Sequence, residues 1–425
     1  MCRWLKKWAY LVALSSSVGI GSSLWASSLH GLAVPMHGHG QETNAALPVQ
    51  YSSEWLPHHV DDSASSTHHP LLGVQSMSWE SMFSSGWLTH FIASGNRHVH
   101  PADAAPRQYV HIGGQSVGIR LQADGAMVVG FQSLGDVPSP AKSSSIRIGD
   151  MIVGINGHKI HSAADLALRV AHATHAVQIQ VDSLGREKML TVRPKLDDHG
   201  ISHLGLYVRD RASGVGTLTY FNPTTHRFGA LGHVVTDLDT GQPIHGRGFV
   251  YPAHIVSIIR GQSGEPGEKR GQFSSRGRPM GDIDSNNDFG VFGNDDVDSE
   301  TGPLMPVAKP SEVHVGPAIV FTVLHQQRVE SFRVNIERLG DIRRIEPKSF
   351  VIRVADARLL KQAGGIVQGM SGSPIVQDGR LVGAVTHVFV SDPTRGYGVF
   401  AEWMLATDKS HPGMRLEHRT AHVHR

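Results

Sequence analysis

Gln368-Gly369-Met370-Ser371-Gly372-Ser373-Pro374-Ile375-Val376-Gln377-Asp378-Gly379-Arg380-Leu381-Val382-Gly383-Ala384-Val385 carries the strongest local signal in the chain. Glycines bracket a serine in a loop, and the loop feeds an apolar strand. Asp378-Gly379 turns the chain, and a second apolar strand returns. A serine nucleophile needs an exposed hydroxyl on a sharp turn, with unhindered backbone N–H groups beside it to hold an oxyanion. Ser371 meets that description. Gly369 lets the backbone point its N–H inward and the N–H of Ser371 is the second donor, so Gly369 and Ser371 form the candidate oxyanion hole. Ser373 is the rival nucleophile, but it precedes Pro374 and lacks a glycine two places upstream, which makes a poorer hole.

A serine needs a base. In Phe228-Gly229-Ala230-Leu231-Gly232-His233-Val234-Val235-Thr236-Asp237, one histidine ends a small-residue turn before an apolar run. A catalytic imidazole must be reachable by solvent and serine, so a loop position beside a strand suits it. The chain has 28 histidines, so composition alone does not select His233. His387 competes, but it lies on the strand leaving the serine hairpin, where lining the substrate or filling the core is more natural. The third member should be a carboxylate that fixes the base's tautomer. Asp356 ends an apolar run shortly before the serine, while Asp237 and Asp239 are nearer His233 and also suit turn caps. Spacing leaves the three open.

Working outward, the 425 residues are 40% hydrophobic and 18% charged, enough for packed cores and two or three domains. Lys+Arg 39 against Asp+Glu 37 gives a net charge of +2, so no strong field attracts nucleic acid, and no nucleic-acid partner is expected. Gly 47 and Pro 22 with aromatics at 7% favour a turn-rich, mainly β protein. The single cysteine, Cys2, excludes an intrachain disulfide, a cysteine zinc site and an iron–sulfur cluster. Histidines gather at His37, His39, His58, His59, His68, His69, His98 and His100, and again at His411, His418, His422 and His424. No H-E-x-x-H motif accompanies them, so they read as solvated filler and no metal is expected. Gly261 to Lys269 is glycine-rich but lacks phosphate-loop spacing, so it reads as a loop, and no cofactor is expected.

The N-terminus reads as an export leader. Arg3, Lys6 and Lys7 precede an apolar stretch from Trp8 to Ala26, with small residues following. Residues 1–29 are therefore a signal peptide or an N-terminal membrane anchor. Residues 30–108 read as a His/Ser-rich linker with a short helix around Ser76 to Leu88, and residues 410–425 as a polar tail. From 109 to 195 the pattern is regular. Ser116–Leu121 and Gly125–Phe131 read as strands, and Asn156-Gly157 as a tight turn. Ser162 caps a helix from Ala163 to about His172, and strands follow at Val177–Val181 and Met189–Val192. "SPAKSSSIRIGDMIVGINGHKI" resembles the second half of a PDZ domain. That resemblance implies peptide binding by strand addition, in a groove between the strand carrying Gly118, Ile119 and Leu121 and the helix carrying Leu166 and Val170.

Three further blocks, "TLTYFNPTTHRFGALGHVVTD", "GEPGEKRGQFSS" and "GGIVQGMSGSPIVQDGRLVGAVTHVFVSDPTRGYGVFAEWML", resemble the stage IV sporulation protein B family of serine peptidases. The resemblance implies a PDZ domain followed by a chymotrypsin-like double β-barrel peptidase over 196–409. It also implies a triad of His233, Asp356 and Ser371. Met370 stands where chymotrypsin-type enzymes carry an aspartate that pairs with a newly cut N-terminus, so that activation switch is absent. By the same resemblance the protein is exported into the space between mother-cell and forespore membranes. There it cleaves its own N-terminal segment and then a membrane-bound regulatory protein, which leads to activation of the late mother-cell sigma factor. The competing readings are a non-catalytic PDZ adaptor and an envelope quality-control protease.

Overall fold

The computed structural model describes residues 107–295 and 302–408. The leader, nearly all of the linker with its expected helix and histidine cluster, and the polar tail lie outside the described residues. What is described is mainly β, as the glycine and proline content implies.

Two closed barrels carry the fold. In the first, Ser116–Phe131, Leu206–Asn222, Arg227–Ala230, Gly290–Asp295, Gly281–Asn287 and Gly246–Pro252 pair in that order, and the last returns to the first. In the second, Gly316–His325, Arg328–Leu339, Phe350–Val354, Asp392–Phe400, Arg380–Phe389 and Pro374–Gln377 close in the same way. This is the chymotrypsin-like double barrel. Alternation builds each core, because every second side chain of a strand points inward. The first is filled by Val117, Ile119, Leu121, Leu218, Phe228 and Val291, the second by Phe332, Phe350, Ile352, Ile375, Val385 and Phe400 among others. Asp378-Gly379 makes the expected hairpin turn with both φ angles positive, 50° and 71°.

The PDZ unit is present, but its borders differ from the expected 109–195. Its core gathers Ala126, Val128, Ile152, Ile155, Leu166, Val170, Ile179, Val181, Val192 and Leu204. Asn156-Gly157 turns with positive φ, and Ser162 accepts from the Asp165 N–H to cap the helix Ala163–Ala171, both as read from the sequence. The correction concerns the strand before it. Gly118, Ile119 and Leu121 are not groove residues. They pair with Val215, Gly214 and Ala212 on one edge and with Tyr251, Val250 and Gly248 on the other, inside the first barrel. A strand hydrogen-bonded on both edges has no edge left for a peptide. Leu166 and Val170 are likewise core residues, 4% exposed each.

The single strand Ser116–Phe131 therefore serves two domains. It leaves the barrel through a break in register between Gln122 and Met127 and continues into the PDZ sheet. The chain returns along Leu206–Asn222, whose first residues pair with Val128–Phe131 and whose later ones pair with Ser116–Gln122. The PDZ unit is thus inserted into the first barrel rather than placed before it. The segment that runs beside the helix is 202–210, tied by Ser202 Oγ donating to Ala173 O and by the Ala163 N–H donating to Asp210.

Two shortened chains test the insertion. A chain starting at Leu196 loses Val117, Ile119 and Leu121, which is roughly 5–9 kcal/mol of burial and comparable with a domain's whole stability of about 5–15 kcal/mol. It is expected to show no cooperative thermal transition by circular dichroism. Gln122 pairs directly with Arg211, so replacing the residues between them by Asn-Gly closes an ordinary hairpin. That chain is expected to melt cooperatively and elute as a compact monomer. The opposite pattern would return the barrel's first strand to the PDZ unit.

Candidate active site

The loop carrying Ser371 and the turn carrying His233 meet where the two barrels touch. Gly372 has φ +91°, and a Cβ built on it would lie 2.0 Å from the Thr217 carbonyl oxygen and 2.4 Å from the Leu231 nitrogen. Only glycine fits there. The Thr217 N–H donates to Ser371 O at 3.0 Å, and the Leu231 N–H donates to Thr217 O at 3.3 Å. Leu231 itself is buried with φ 68°, a conformation that costs an L side chain about 1–3 kcal/mol and that starts the turn leading to His233.

The two side chains flank one short stretch of the strand Arg380–Phe389. Ser371 Oγ donates to Thr386 O at 2.7 Å, and the His233 ring lies 4.8 Å from the His387 ring, tilted by 40°. His233 Nδ1 lies 2.8 Å from Val234 O. A carbonyl only accepts, so the proton sits on Nδ1 and the Nε2 lone pair is free to act as base. Burial pushes the His233 pKa below its ordinary value, with the Val234 carbonyl opposing. Burial, then the neighbouring His233 and Lys348, push His387 down to about 3. Both rings are neutral at neutral pH.

The backbone donors of the loop carrying Ser371 fall into two sets. Gln368, Met370, Gly372 and Ser373 N–H groups donate to Gly267, Val367, Val385 and Met370 carbonyls. Among the described residues, the N–H groups of Gly369 and Ser371 have no such acceptor. These are the two donors the sequence assigned to the oxyanion hole. Gly369 reaches this arrangement with φ +87°. Met370 is wholly buried in the second core, which explains an apolar residue between the two donors. Ser373 is wholly buried too, with Oγ 3.0 Å from Thr322 Oγ1, and is out of a substrate's reach.

Among the described residues no hydrogen bond or ion pair joins Asp356 to His233. Asp356 caps the helix Ala357–Ala363, and its carboxylate accepts from the N–H groups of Arg358 and Arg333 and from the Arg358 guanidinium. Burial raises its pKa, and these bonds more than offset that, so the net shift is downward. Asp237 is likewise engaged elsewhere, by Arg209 and its own turn at Asp239 and Thr240. The acceptor on His233 is a backbone carbonyl, which no residue-type pattern encodes. Among the described residues, no group of three or more His, Cys, Asp or Glu side chains converges as a metal site would require. Thr217 and Lys269, which hold the serine loop from beneath, escaped the sequence reading. Both stand in the blocks quoted above.

The family model for SpoIVB peptidase S55 matches residues 200–405. A probable periplasmic serine endoprotease, DegP-like, from Bartonella henselae is 27% identical over 155 residues, covering 35% of this chain and 29% of that protein. The chain thus spans less than a third of that relative's length. Among solved structures, the Rv3671c protease from M. tuberculosis in its active form is 15% identical, with a TM-score of 0.25, covering 46% of this chain and 72% of that one. The PDZ domain of the SdrC-like protein from Listeria monocytogenes is 19% identical, with a TM-score of 0.17, covering 20% of this chain and 87% of that one.

Because burial lowers the His233 pKa, its imidazole keeps its lone pair to a lower pH than an ordinary histidine, whose pKa is about 6.5. The rate at which a fluorophosphonate labels Ser371 is expected to fall as pH drops, with its half-point below about 6.5. A half-point clearly above that value would mean that an anion faces His233.

Proposed function

Taking as premise that the peptidase portion of this chain belongs to the SpoIVB peptidase S55 family and is a serine peptidase, we propose that Ser371 is its nucleophile and His233 its general base. The observation that carries the proposal is the pair of unpartnered N–H groups, Gly369 and Ser371, on the loop that presses against the His233 turn. The Ser371 hydroxyl turns from Thr386 O to His233 Nε2 and gives up its proton as Oγ attacks the peptide carbonyl. The two N–H groups receive the oxyanion. The imidazolium then protonates the leaving amine, and water releases the acyl group by the reverse steps. Val234 O takes the place a carboxylate holds in a full triad, fixing the tautomer without adding charge. Asp356 acts as a helix cap.

The finer reading follows the family. The protein is an exported endopeptidase of endospore formation that cuts its own N-terminal segment and the extracytoplasmic part of a membrane-bound regulator. That cut triggers intramembrane proteolysis and activates the late mother-cell sigma factor. A DegP-like relative described as periplasmic supports an extracytoplasmic location. A leader in residues 1–29 supplies export or anchoring. The PDZ unit takes a peptide, from the chain itself or from its target, at the edge Leu206–Val208. Among the described residues that edge pairs on one side only.

Ser371→Ala is expected to abolish self-processing, followed by intact mass, and fluorophosphonate labelling, with folding unchanged. Ser373→Ala keeps measurable activity. Digestion of unfolded casein as fast as of a regulator fragment would favour envelope quality control instead. His233→Ala should be as inactive as Ser371→Ala. Asp356→Ala should cost about 1 kcal/mol of stability as a lost cap and leave labelling within a few-fold. Inactivity equal to that of His233→Ala, in a folded protein, would restore Asp356 to the triad.

A further inference from the structure

Lys269 is wholly buried, and among the described residues no carboxylate pairs with it. A buried lysine without an anion is costly to keep, so its contacts should have a use. Its Nζ lies 2.6 Å from Thr322 Oγ1 and 3.5 Å from Thr217 Oγ1. Ser373 Oγ lies 3.0 Å from the first hydroxyl and 3.5 Å from the second. Thr217 Oγ1 in turn donates to Gly369 O at 2.8 Å. A threonine has one hydroxyl proton. Since Thr217 gives it to Gly369 O, its lone pairs face the buried cluster and Lys269 Nζ is a donor to them.

The backbone of the same residue reaches the neighbouring peptide. The Lys269 N–H donates to Gln368 O at 2.9 Å, and the Gln368 N–H donates to Gly267 O at 2.7 Å. Gln368 O and the Gly369 N–H belong to one trans peptide group and point in opposite directions within its plane. Holding the carbonyl toward Lys269 therefore aims the Gly369 N–H away from Lys269. The next carbonyl, Gly369 O, is held through Thr217. Two successive peptides of the loop are thus oriented from one residue. A Cβ on Gly369 would lie 3.1 Å from the Lys269 Cβ, so the packing is as close as the bonding.

We propose that Lys269 is a positioning residue of the oxyanion hole: its backbone N–H sets the Gln368–Gly369 peptide, and its side chain, through Thr217, keeps the Gly369 carbonyl turned out of the hole. Burial supports this by lowering the Lys269 pKa to about 7, where an amine with two N–H donors matches two threonine acceptors. Without Nζ, the Thr217 hydroxyl is free to turn to Thr322 or Ser373, and Gly369 O is released. The proposal rests on Ser371 being the nucleophile.

The test measures labelling of the full chain by a fluorophosphonate, which places a phosphoryl oxygen in the hole without requiring a known substrate sequence. Lys269→Met keeps the length of the side chain and removes the donor. Labelling at Ser371 is expected to slow about ten- to a hundred-fold, below the 10²–10³ seen when an oxyanion donor is removed outright. The concentration for half-maximal rate and the melting temperature should stay unchanged or, for the latter, rise. Thr217→Val breaks the same link with Lys269 intact and should slow labelling similarly, while Thr217→Ser should restore it. If Lys269→Met does not fold, the two Thr217 variants decide alone. Wild-type labelling rates in Lys269→Met and Thr217→Val, or slowing that tracks lost thermal stability and persists in Thr217→Ser, would overturn the proposal. Labelling that persists in Ser371→Ala would instead overturn the nucleophile assignment, independently of Lys269.

Discussion

The contact that organises the two barrels is the one at Gly372, where no side-chain atom fits between the serine loop and the corner formed by Thr217 and Leu231. Around it, Thr217 N–H holds Ser371 O, Leu231 N–H holds Thr217 O, and Gly372 N–H holds Val385 O. Thr219 Oγ1 adds a bond to Gly372 O at 2.8 Å. One strand of the first barrel and one loop of the second thereby share their backbone polar groups. Ser371 and His233 come from different barrels, so their relation is only as fixed as this junction. The left-handed backbone of buried Leu231 is tolerated because the junction holds it there.

Desolvation, rather than charge pairing, sets the protonation states inside the junction. His233, His387 and Lys269 are all shifted toward their neutral forms by burial, and in each it is the largest cause. Two of the carboxylates the sequence offered for the triad are spent elsewhere: Asp237 on Arg209, Asp356 on Arg358. Met370 between the two oxyanion donors adds no charge either. A neutral imidazole with its proton committed to Val234 O is ready to accept a proton from a hydroxyl. In the proposed mechanism, the imidazolium that follows would face a carbonyl dipole rather than an anion.

The PDZ unit is attached by two continuous strands, Ser116–Phe131 and Leu206–Asn222, rather than by a flexible tether. The strand edge beside its helix, Leu206–Val208, leads without interruption to Thr217 under the serine loop. Arg209, between the two, reaches Asp237 and Asp239 on the turn that follows His233. The unit and the barrel junction are thus joined in one sheet, and the edge Leu206–Val208 lies on the same strand whose Thr217 N–H holds Ser371 O.

Local rules were legible in the sequence because local sterics decide them. Glycines around Ser371, the Asp378-Gly379 and Asn156-Gly157 turns, the Ser162 cap and the alternation of the strands each depend on residues a few places apart. Ser371, His233 and the N–H groups of Gly369 and Ser371 were singled out as candidates in this way, and the family blocks named the barrels. Three things were decided only by the tertiary structure. Residues 116–123 read equally well as a PDZ strand or a barrel strand, since alternation does not say which core a face will meet. Asp356 had the right residue type and order for a triad. Its carboxylate went instead to the arginine two residues on and to its own helix N-terminus, because those partners are covalently close while His233 lies across the barrel junction. Lys269 looked like the end of a glycine-rich loop. Its environment is made by Thr217, Thr322 and Ser373, drawn from three distant segments, and no pattern along the chain brings those hydroxyls together.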